Sequence, residues 1–187
     1  AKIDSKNLKT KLYVSPTHKL DLDCEYKTII SCGVFGVGTT REEDLESLKR
    51  LKKHLISGGK YIFDFYLPDK SSKEWEGSEE HQPNLPSKWS KPDHRDLSDG
   101  TCLSLQTRIL EFNSIERYYI REIRIEHHKD KVLIGTEQRQ IRLNIYDKNE
   151  VELMLQSVFT EVKIFAGLSD REPIPNKDYY LIVEASL

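Results

Sequence analysis

A strand–helix–strand pattern in residues 27–68 constrains the fold more than any other feature of this chain. The segment reads KTIISCGVFGVGTTREEDLESLKRLKKHLISGGKYIFDFYLP. The apolar, partly β-branched run at 28–32 predicts a strand covered on both faces, as in a parallel sheet, and the run at 60–66 predicts a second buried strand. Between them, leucines recur at three- and four-residue spacing and predict one apolar helix face (Leu45, Leu48, Leu51 and Leu55). The pattern is typical of an α/β protein.

The ends of this helix carry recognisable signals. Thr39 or Thr40 can cap its first turn, with Glu42 or Glu43 three residues on, which resembles a capping box. Gly58-Gly59 is predicted to stop the helix before the second strand.

Composition excludes several classes of function. A chain of 187 residues is long enough for one domain with a sizeable core, and its net charge is −2. Basic and acidic residues are interspersed, whereas nucleic-acid binding needs a concentrated basic face. No apolar run reaches the roughly 20 residues of a membrane span, and no segment reads as a signal peptide. The three cysteines form no CxxC or Cys/His cluster, so we expect reduced thiols, no metal site and a cytoplasmic protein.

The rest of the chain has a different organisation. Residues 69–100 are rich in Ser, Pro, Lys and Glu and predict a long excursion or lid. Three alternating β segments follow at 101–112, 118–129 and 132–146, with a tight turn at Asp130-Lys131, and predict an antiparallel meander.

The chain is predicted to close with a helix and a hairpin, and to open with a short strand. Asp147 caps a short helix over 148–156, and two strands follow at 161–165 and 179–185. Lys11–Ser15 alternates and predicts a first strand before Pro16. Three parts result: a core part at 1–68, an excursion with the insert at 69–146, and the last helix with its hairpin at 147–187.

Three motifs in this order resemble a known superfamily. Leu48–Asp64 is similar to its "L…LKPGG" run, Arg142–Val151 to its "R-x-Y-T-x-x-E-L" helix entry, and Asp178–Glu184 to its closing strand. Over nearly its whole length the chain resembles the C-terminal two-thirds of class I S-adenosylmethionine-dependent methyltransferases of the small-molecule type. The resemblance implies an incomplete Rossmann-like sheet with a C-terminal antiparallel hairpin and an inserted antiparallel meander over the active site.

The resemblance also implies a cofactor site for S-adenosylmethionine. The loop after the family's fourth strand lines the methionine and sulfonium end, which here is Ser31, Cys32, Gly33, Val34 and Phe35. Gly33 permits close backbone approach, and the Phe35 ring can face a sulfonium, although Phe35 is equally well explained as a core residue.

The adenine end departs from the family pattern. Pro16 stands where the family holds an acidic residue against the adenine amine, which leaves Thr17 as a candidate through its backbone.

The residues implied for chemistry lie at the ends of strands and in loops. Asp64 and Tyr66 lie at the end of the second strand, where open α/β sheets bind ligands, and are the candidate catalytic groups. Tyr66, Arg142 and Arg171 are candidates for contact with the methyl acceptor; alternatively, Asp64 caps a loop and Arg142 pairs with a strand neighbour.

Several parts of the family pattern are missing. The glycine-rich cofactor loop is not in this sequence, so the chain is interpreted as a fragment that binds cofactor weakly or not at all. Residues 1–10 are interpreted as the tail of a helix and its loop, with Asp4 as a ribose ligand the alternative. A turn at 157–160 lacks the family's glycine, so we expect it to be altered or strained.

Three functions remain open from sequence. The first is methyl transfer to a small-molecule N, O or C acceptor. The second is a non-catalytic binding or dimerisation module, with a possible homodimer. The third is a protein or RNA methyltransferase, for which the balanced charge disfavours RNA.

Overall fold

The computed structural model describes residues 10–67 and 84–187. Two helices, eight strands and a 3-10 turn at Thr17–Lys19 make up this part of the chain. The strands are β1 (Tyr26–Ser31), β2 (Leu55–Tyr66), β3 (Asp93–Asp96), β4 (Thr101–Asn113), β5 (Tyr118–Lys129), β6 (Val132–Asn144), β7 (Glu161–Ala166) and β8 (Tyr180–Ser186). The helices are α1 (Arg41–Lys53) and α2 (Lys148–Gln156).

The first sheet has the order β1-β2-β8-β7 and carries the core. β1 and β2 are parallel, as a strand–helix–strand crossover requires, while β8 is antiparallel to both β2 and β7. This confirms the predicted α/β class with a terminal antiparallel hairpin. The predicted hairpin strands agree with β7 and β8 to within one residue.

Both helices cover one face of this sheet. Thr40 and Asp147 cap α1 and α2 with complete capping boxes. In each box the capping side chain accepts a backbone N–H of the first turn, and the carboxylate of Glu43 or Glu150 accepts the backbone N–H of the capping residue. Side chains from α1, α2, β2 and β8 form one buried cluster, which includes Leu48, Phe63, Val151, Leu155, Leu181 and Val183.

The second sheet is an antiparallel meander in the order β3-β4-β5-β6. Its three long strands match the predicted β segments to within two residues, and Asp130 and Lys131 both have positive φ, as a tight hairpin turn requires. β3 was not predicted, because its four residues (DHRD) have no apolar alternation.

Among the described residues, the first sheet is packed on one face only at β1, contrary to the prediction that the strand at 28–32 is covered on both faces. Ile30 is 71% exposed, although the α1 face of the same sheet is buried. Along β8, residues alternate between buried and half-buried, which is the pattern of a sheet with one packed face. Within the described residues, no strand pairs with the outer edge of β1.

Two local predictions were wrong. Lys11–Ser15 is not a strand, because no strand among the described residues lies beside it and Leu12 and Val14 are exposed. Gly58-Gly59 does not end α1, which stops at Lys53; the two glycines lie inside β2, within an irregularity of the β1–β2 register. A Cβ at Gly59 would lie 2.8 Å from the Ile56 carbonyl oxygen.

The altered turn at 157–160 is unstrained. Ser157 has right-handed helical geometry, and none of the four residues has positive φ. The missing glycine is therefore explained by a different turn rather than by strain. The predictions for residues 1–9 and 68–83 lie outside the described part of the chain.

A buried carboxylate connects the two sheets. Asp44 on α1 accepts hydrogen bonds from the Thr39 hydroxyl (2.5 Å), the Asn144 side-chain amide (2.8 Å) and the Tyr146 hydroxyl (2.7 Å). Burial and the Asp44 charge raise the pKa of Tyr146 above its ordinary value. The end of β6 is thereby fixed to the helix that follows β1.

Candidate functional site

A cavity of about 340 Å³ lies at the carboxyl end of β1. Its walls come from the 3-10 turn, the loop after β1 and α1, three segments distant in sequence. Four of the six predicted cofactor residues line it, namely Thr17, Ser31, Val34 and Phe35. The structure therefore brings together two segments, 15–17 and 31–35, that the family resemblance indicated separately.

A buried histidine holds the chain that forms one wall of this cavity. The Leu22 backbone N–H donates to His54 Nε2 at 3.3 Å, and His54 Nδ1 lies 3.1 Å from the Cys24 carbonyl oxygen. With Nδ1 as donor and Nε2 as acceptor, neutral His54 satisfies both contacts. The segment that connects the 3-10 turn to β1 is thus held against the end of α1 by two contacts with His54.

The floor of the cavity is aromatic. Phe35 packs against Phe63 and Tyr146 with ring centroids 4.8 and 5.2 Å apart, so it belongs to the core and lines the cavity as well. Burial raises the pKa of Tyr61 to about 12, an effect that the neighbouring Ser31 hydroxyl partly opposes. Tyr61 therefore stays a neutral phenol at physiological pH.

His18 is a cavity residue that the sequence reasoning missed. Its Nε2 lies 3.4 Å from a Glu43 carboxylate oxygen, while its buried Nδ1 has no hydrogen-bond partner among the described residues. In the neutral tautomer that keeps a proton on Nε2 toward Glu43, Nδ1 is an acceptor. The sequence feature that could have indicated His18 as a site residue is its position two residues after Pro16.

Asp64 binds the loop after β1. One of its carboxylate oxygens accepts the Gly33 backbone N–H at 2.6 Å, and the other lies 3.7 Å from Cys32 Sγ. Asp64 is itself buried. The geometry agrees with the alternative reading in which Asp64 caps a loop, and its catalytic role stays a prediction. Cys32 and Gly33 are thus placed beside Asp64, whereas the other four cofactor candidates line the cavity.

Tyr66 lies at the same end of the sheet and is 68% exposed. Its ring packs against Tyr180 with centroids 4.8 Å apart. Burial, together with the nearby Asp64 and Tyr66, raises the pKa of Tyr180. Asp64, Tyr66 and Tyr180 therefore form one cluster on the carboxyl end of β2 and the start of β8.

Arg142 and Arg171 are not brought to this cluster by any contact of the structure. The Arg142 guanidinium stacks on Tyr118 at 3.6 Å from the ring centroid and lines a separate charged cleft with Arg41 and Glu116. Arg171 forms a bidentate pair with Asp178, both distances being 2.6 Å, and the guanidinium lowers the pKa of that carboxyl to about 2. Their contact with substrate stays a prediction.

Metal-binding geometry is absent from the part of the chain that the structure describes: no three His, Cys, Asp or Glu side chains converge there. No helix in the two described ranges is long and apolar enough to cross a membrane.

No protein-family model and no curated protein sequence matches this chain. Solved structures do match. An S-adenosylmethionine-dependent methyltransferase from Clostridium acetobutylicum ATCC 824 superposes with a TM-score of 0.69 at 14% identity, covering 100% of this chain and 68% of that one. DesVI from Streptomyces venezuelae superposes with a TM-score of 0.64 at 14% identity, covering 98% of this chain and 69% of that one. The sugar N-methyltransferase KedS8 from Streptoalloteichus sp ATCC 53650 superposes with a TM-score of 0.62 at 10% identity, covering 98% of this chain and 66% of that one.

These likenesses define the class of fold. The chain has the fold of class I S-adenosylmethionine-dependent methyltransferases, including the terminal hairpin and the inserted meander. It spans about two-thirds of the length of each of these three proteins.

Proposed function

We propose that this chain is part of a methyltransferase that uses S-adenosylmethionine to methylate a small-molecule N, O or C acceptor. The observation that carries the proposal is the cavity at the carboxyl end of β1, which two segments selected from the sequence line together. In open α/β sheets this end is where ligands bind. The complete enzyme would hold a glycine-rich loop beyond this chain, so the chain alone is proposed to bind cofactor weakly.

The proposed roles follow from the chemistry of the cavity walls. Bound S-adenosylmethionine would supply an electrophilic methyl group to the lone pair of the acceptor. Alignment supplies much of the acceleration, since the sulfonium is already activated. Phe35 and Val34 would bind the sulfonium end, and the loop that Asp64 fixes through Gly33 would position it.

His18 supplies the adenine contact that Pro16 cannot make. His18 lines the same cavity, two residues after the position where the family holds its acidic residue, and its buried Nδ1 has no hydrogen-bond partner among the described residues. An adenine amine would donate to it. Thr17, the next residue of the same turn, would contact adenine through its backbone.

The acceptor side is assigned to Tyr66 as the exposed hydroxyl nearest Asp64 along β2. Arg142 and Arg171 are retained as proposed substrate contacts, each of which would have to leave its present partner. A small acceptor is favoured because one solved structure with this fold is a sugar N-methyltransferase. The balanced surface charge disfavours a nucleic-acid acceptor and agrees with a cytoplasmic enzyme.

Isothermal titration calorimetry with S-adenosylmethionine tests the proposal. We expect the full-length gene product to bind and this chain to bind at least about tenfold more weakly. His18→Leu in the full-length product should weaken binding about tenfold, because a buried donor of the ligand loses its acceptor. His94→Leu, in an exposed strand of the meander, is the matched control and should leave binding unchanged.

A non-catalytic binding or dimerisation module is the second candidate. Pro16 in the adenine position favours it, and the exposed Ile30 of β1 is a side chain that a partner could cover. Absence of any heat of binding with the full-length product would contradict the enzyme proposal and favour this module. A homodimer is compatible with both candidates.

A further inference from the structure

We propose that β6 is a self-pairing edge, through which two copies of this chain join their meanders into one continuous antiparallel sheet. β6 is the last strand of the β3-β4-β5-β6 sheet, and its residues 132–140 are all exposed. Val132, Leu133 and Ile134 are 64%, 52% and 53% exposed. A long exposed edge strand is a ready site for pairing with another chain. This inference does not depend on methyl transfer.

The backbone of β6 presents unpaired groups along that edge. At one end the edge is occupied, because the Gly38 N–H donates to the Arg142 carbonyl at 2.7 Å and the Asn144 N–H donates to the Gly36 carbonyl at 2.8 Å. Backbone groups alternate in direction along a strand. The amides and carbonyls of Thr136, Gln138 and Gln140 therefore point to the same edge, away from β5. The regular β5–β6 register extends to Gly135.

The side chains select one register and one partner. In an isologous pairing each residue contacts its symmetry counterpart. A two-fold axis at Gln138 places the edge-facing backbone groups of Gln138 opposite those of Gln138 in the second copy. It places those of Thr136 opposite those of Gln140 in the second copy. It also places Glu137 opposite Arg139 of the second copy, and Arg139 opposite Glu137, at cross-strand contact distance.

Neighbouring registers are disfavoured by charge. An axis at Glu137 or at Arg139 would oppose two like charges. Within one chain, an Arg139 guanidinium nitrogen already lies 3.2 Å from a Glu137 carboxylate oxygen, and both side chains are mostly exposed. A second copy would therefore add an opposite charge beside each group, and neither group would be buried unpaired. Opposite charges at alternate positions fit a second copy of this strand better than a uniformly charged or apolar partner.

Another edge strand, β7, offers a matched comparison. It carries a similar exposed pair, Glu161 and Lys163, at 2.9 Å, but it has six residues rather than thirteen. Its end is already occupied, since the Ala166 N–H donates to the Arg171 carbonyl at 3.0 Å. The longer and freer edge of β6 is therefore the one assigned to self-pairing.

Sedimentation velocity with charge variants tests the proposal. The chain should reach twice its 21.8 kDa mass with rising concentration. Glu137→Arg and Arg139→Glu should each raise the dimer dissociation constant about tenfold or more, because each opposes like charges at two symmetric contacts. The double swap Glu137→Arg/Arg139→Glu should restore the dimer. An equimolar mixture of the two single variants should form a heterodimer, which a misfolded variant would not do.

The control is Lys163→Glu, which should leave the dimer intact. A chain that stays monomeric at all concentrations overturns the proposal. The proposal is also overturned if Glu137→Arg leaves the dimer dissociation constant unchanged, if the double swap stays monomeric, or if Lys163→Glu dissociates the dimer.

Discussion

The two sheets of this protein are stabilised by different interactions. Of the fourteen side chains of the buried hydrophobic cluster, eleven lie on β2, β8, α1 and α2, and the other three (Tyr146, Val158 and Phe159) lie in the connections on either side of α2. Among the described residues, β3–β6 contribute none. In the meander, the guanidinium groups of Arg108 and Arg124 instead pack over the Trp89 ring, 4.5 and 4.4 Å from the ring centroid. Arg108 also pairs with Glu122, with 2.7 Å between Nε and the carboxylate oxygen. Apolar burial therefore fixes one region, and charge pairing fixes the other.

The largest expected effect tests burial in the first sheet. Phe63, which is 1% exposed and stacks on Tyr61, should be very sensitive to truncation. Phe63→Ala should lower the free energy of unfolding by about 3–5 kcal/mol, through lost transfer energy and the cavity left behind. Urea denaturation measures this loss. Leu105→Ala in β4, a residue that is 39% exposed, is the control and should cost less than about 1 kcal/mol. Equal losses at the two positions would contradict the contrast between the regions.

The second prediction uses pH to probe the same core. Since burial raises the pKa of Tyr61 from 10.0 to about 12, the native state retains the phenol proton where the unfolded chain loses it. This stabilisation is complete below about pH 10 and is lost as pH rises through 12, to a total of about 3 kcal/mol. Urea denaturation between pH 8 and 12 should show a smaller decline for Tyr61→Phe than for the unmodified chain. Parallel declines would show that Tyr61 is not protected by the core.

The third prediction concerns the joint between the regions. Asp44→Ala would leave the buried Tyr146 hydroxyl without its acceptor and remove one of the two acceptors of the half-buried Asn144 amide, at a cost of about 2 kcal/mol. Hydrogen exchange should accelerate at 142–146, where β6 meets the core. Glu46→Ala on the same helix removes only an exposed pair with Arg50 and should change neither quantity by more than a few tenths of a kcal/mol. Unchanged exchange in Asp44→Ala would show that the sheets do not depend on this carboxylate.

The contrast also explains what the sequence could predict. Apolar periodicity identified β1, α1, β2 and the final hairpin, because burial imposes a period on the residues that pack. It could not show that Ile30 on β1 is exposed rather than covered by the residues that the structure describes, because an isoleucine in a strand is compatible with either environment. The Gly58-Gly59 pair suggested a helix end for a similar reason, because glycine relieves close approach equally in a turn and in an irregular strand.

The candidate site was only partly predictable. The segments 15–17 and 31–35 were selected by resemblance, and their meeting in one cavity depends on the connecting segment that His54 holds against the end of α1. His18 was missed, because an unpartnered nitrogen is a property of three-dimensional surroundings. The loop-holding contacts of Asp64 depend on the path of residues 32–33 and are equally invisible in sequence.

The smallest expected effect tests charge in the meander. Replacing Trp89 with Leu keeps an apolar side chain but removes the aromatic face between two guanidinium groups, at a cost of about 1 kcal/mol. Because this loss is local, hydrogen exchange of the β4 and β5 amides is the appropriate measurement. A double-mutant cycle of Trp89→Leu with Arg124→Gln isolates the ring–cation contact from the other partners of Arg124, Gln106 and Glu126. We expect a coupling energy of about 0.5–1 kcal/mol; strictly additive effects would show that the ring stabilises the meander through its buried area alone, as Phe63 does in the first sheet.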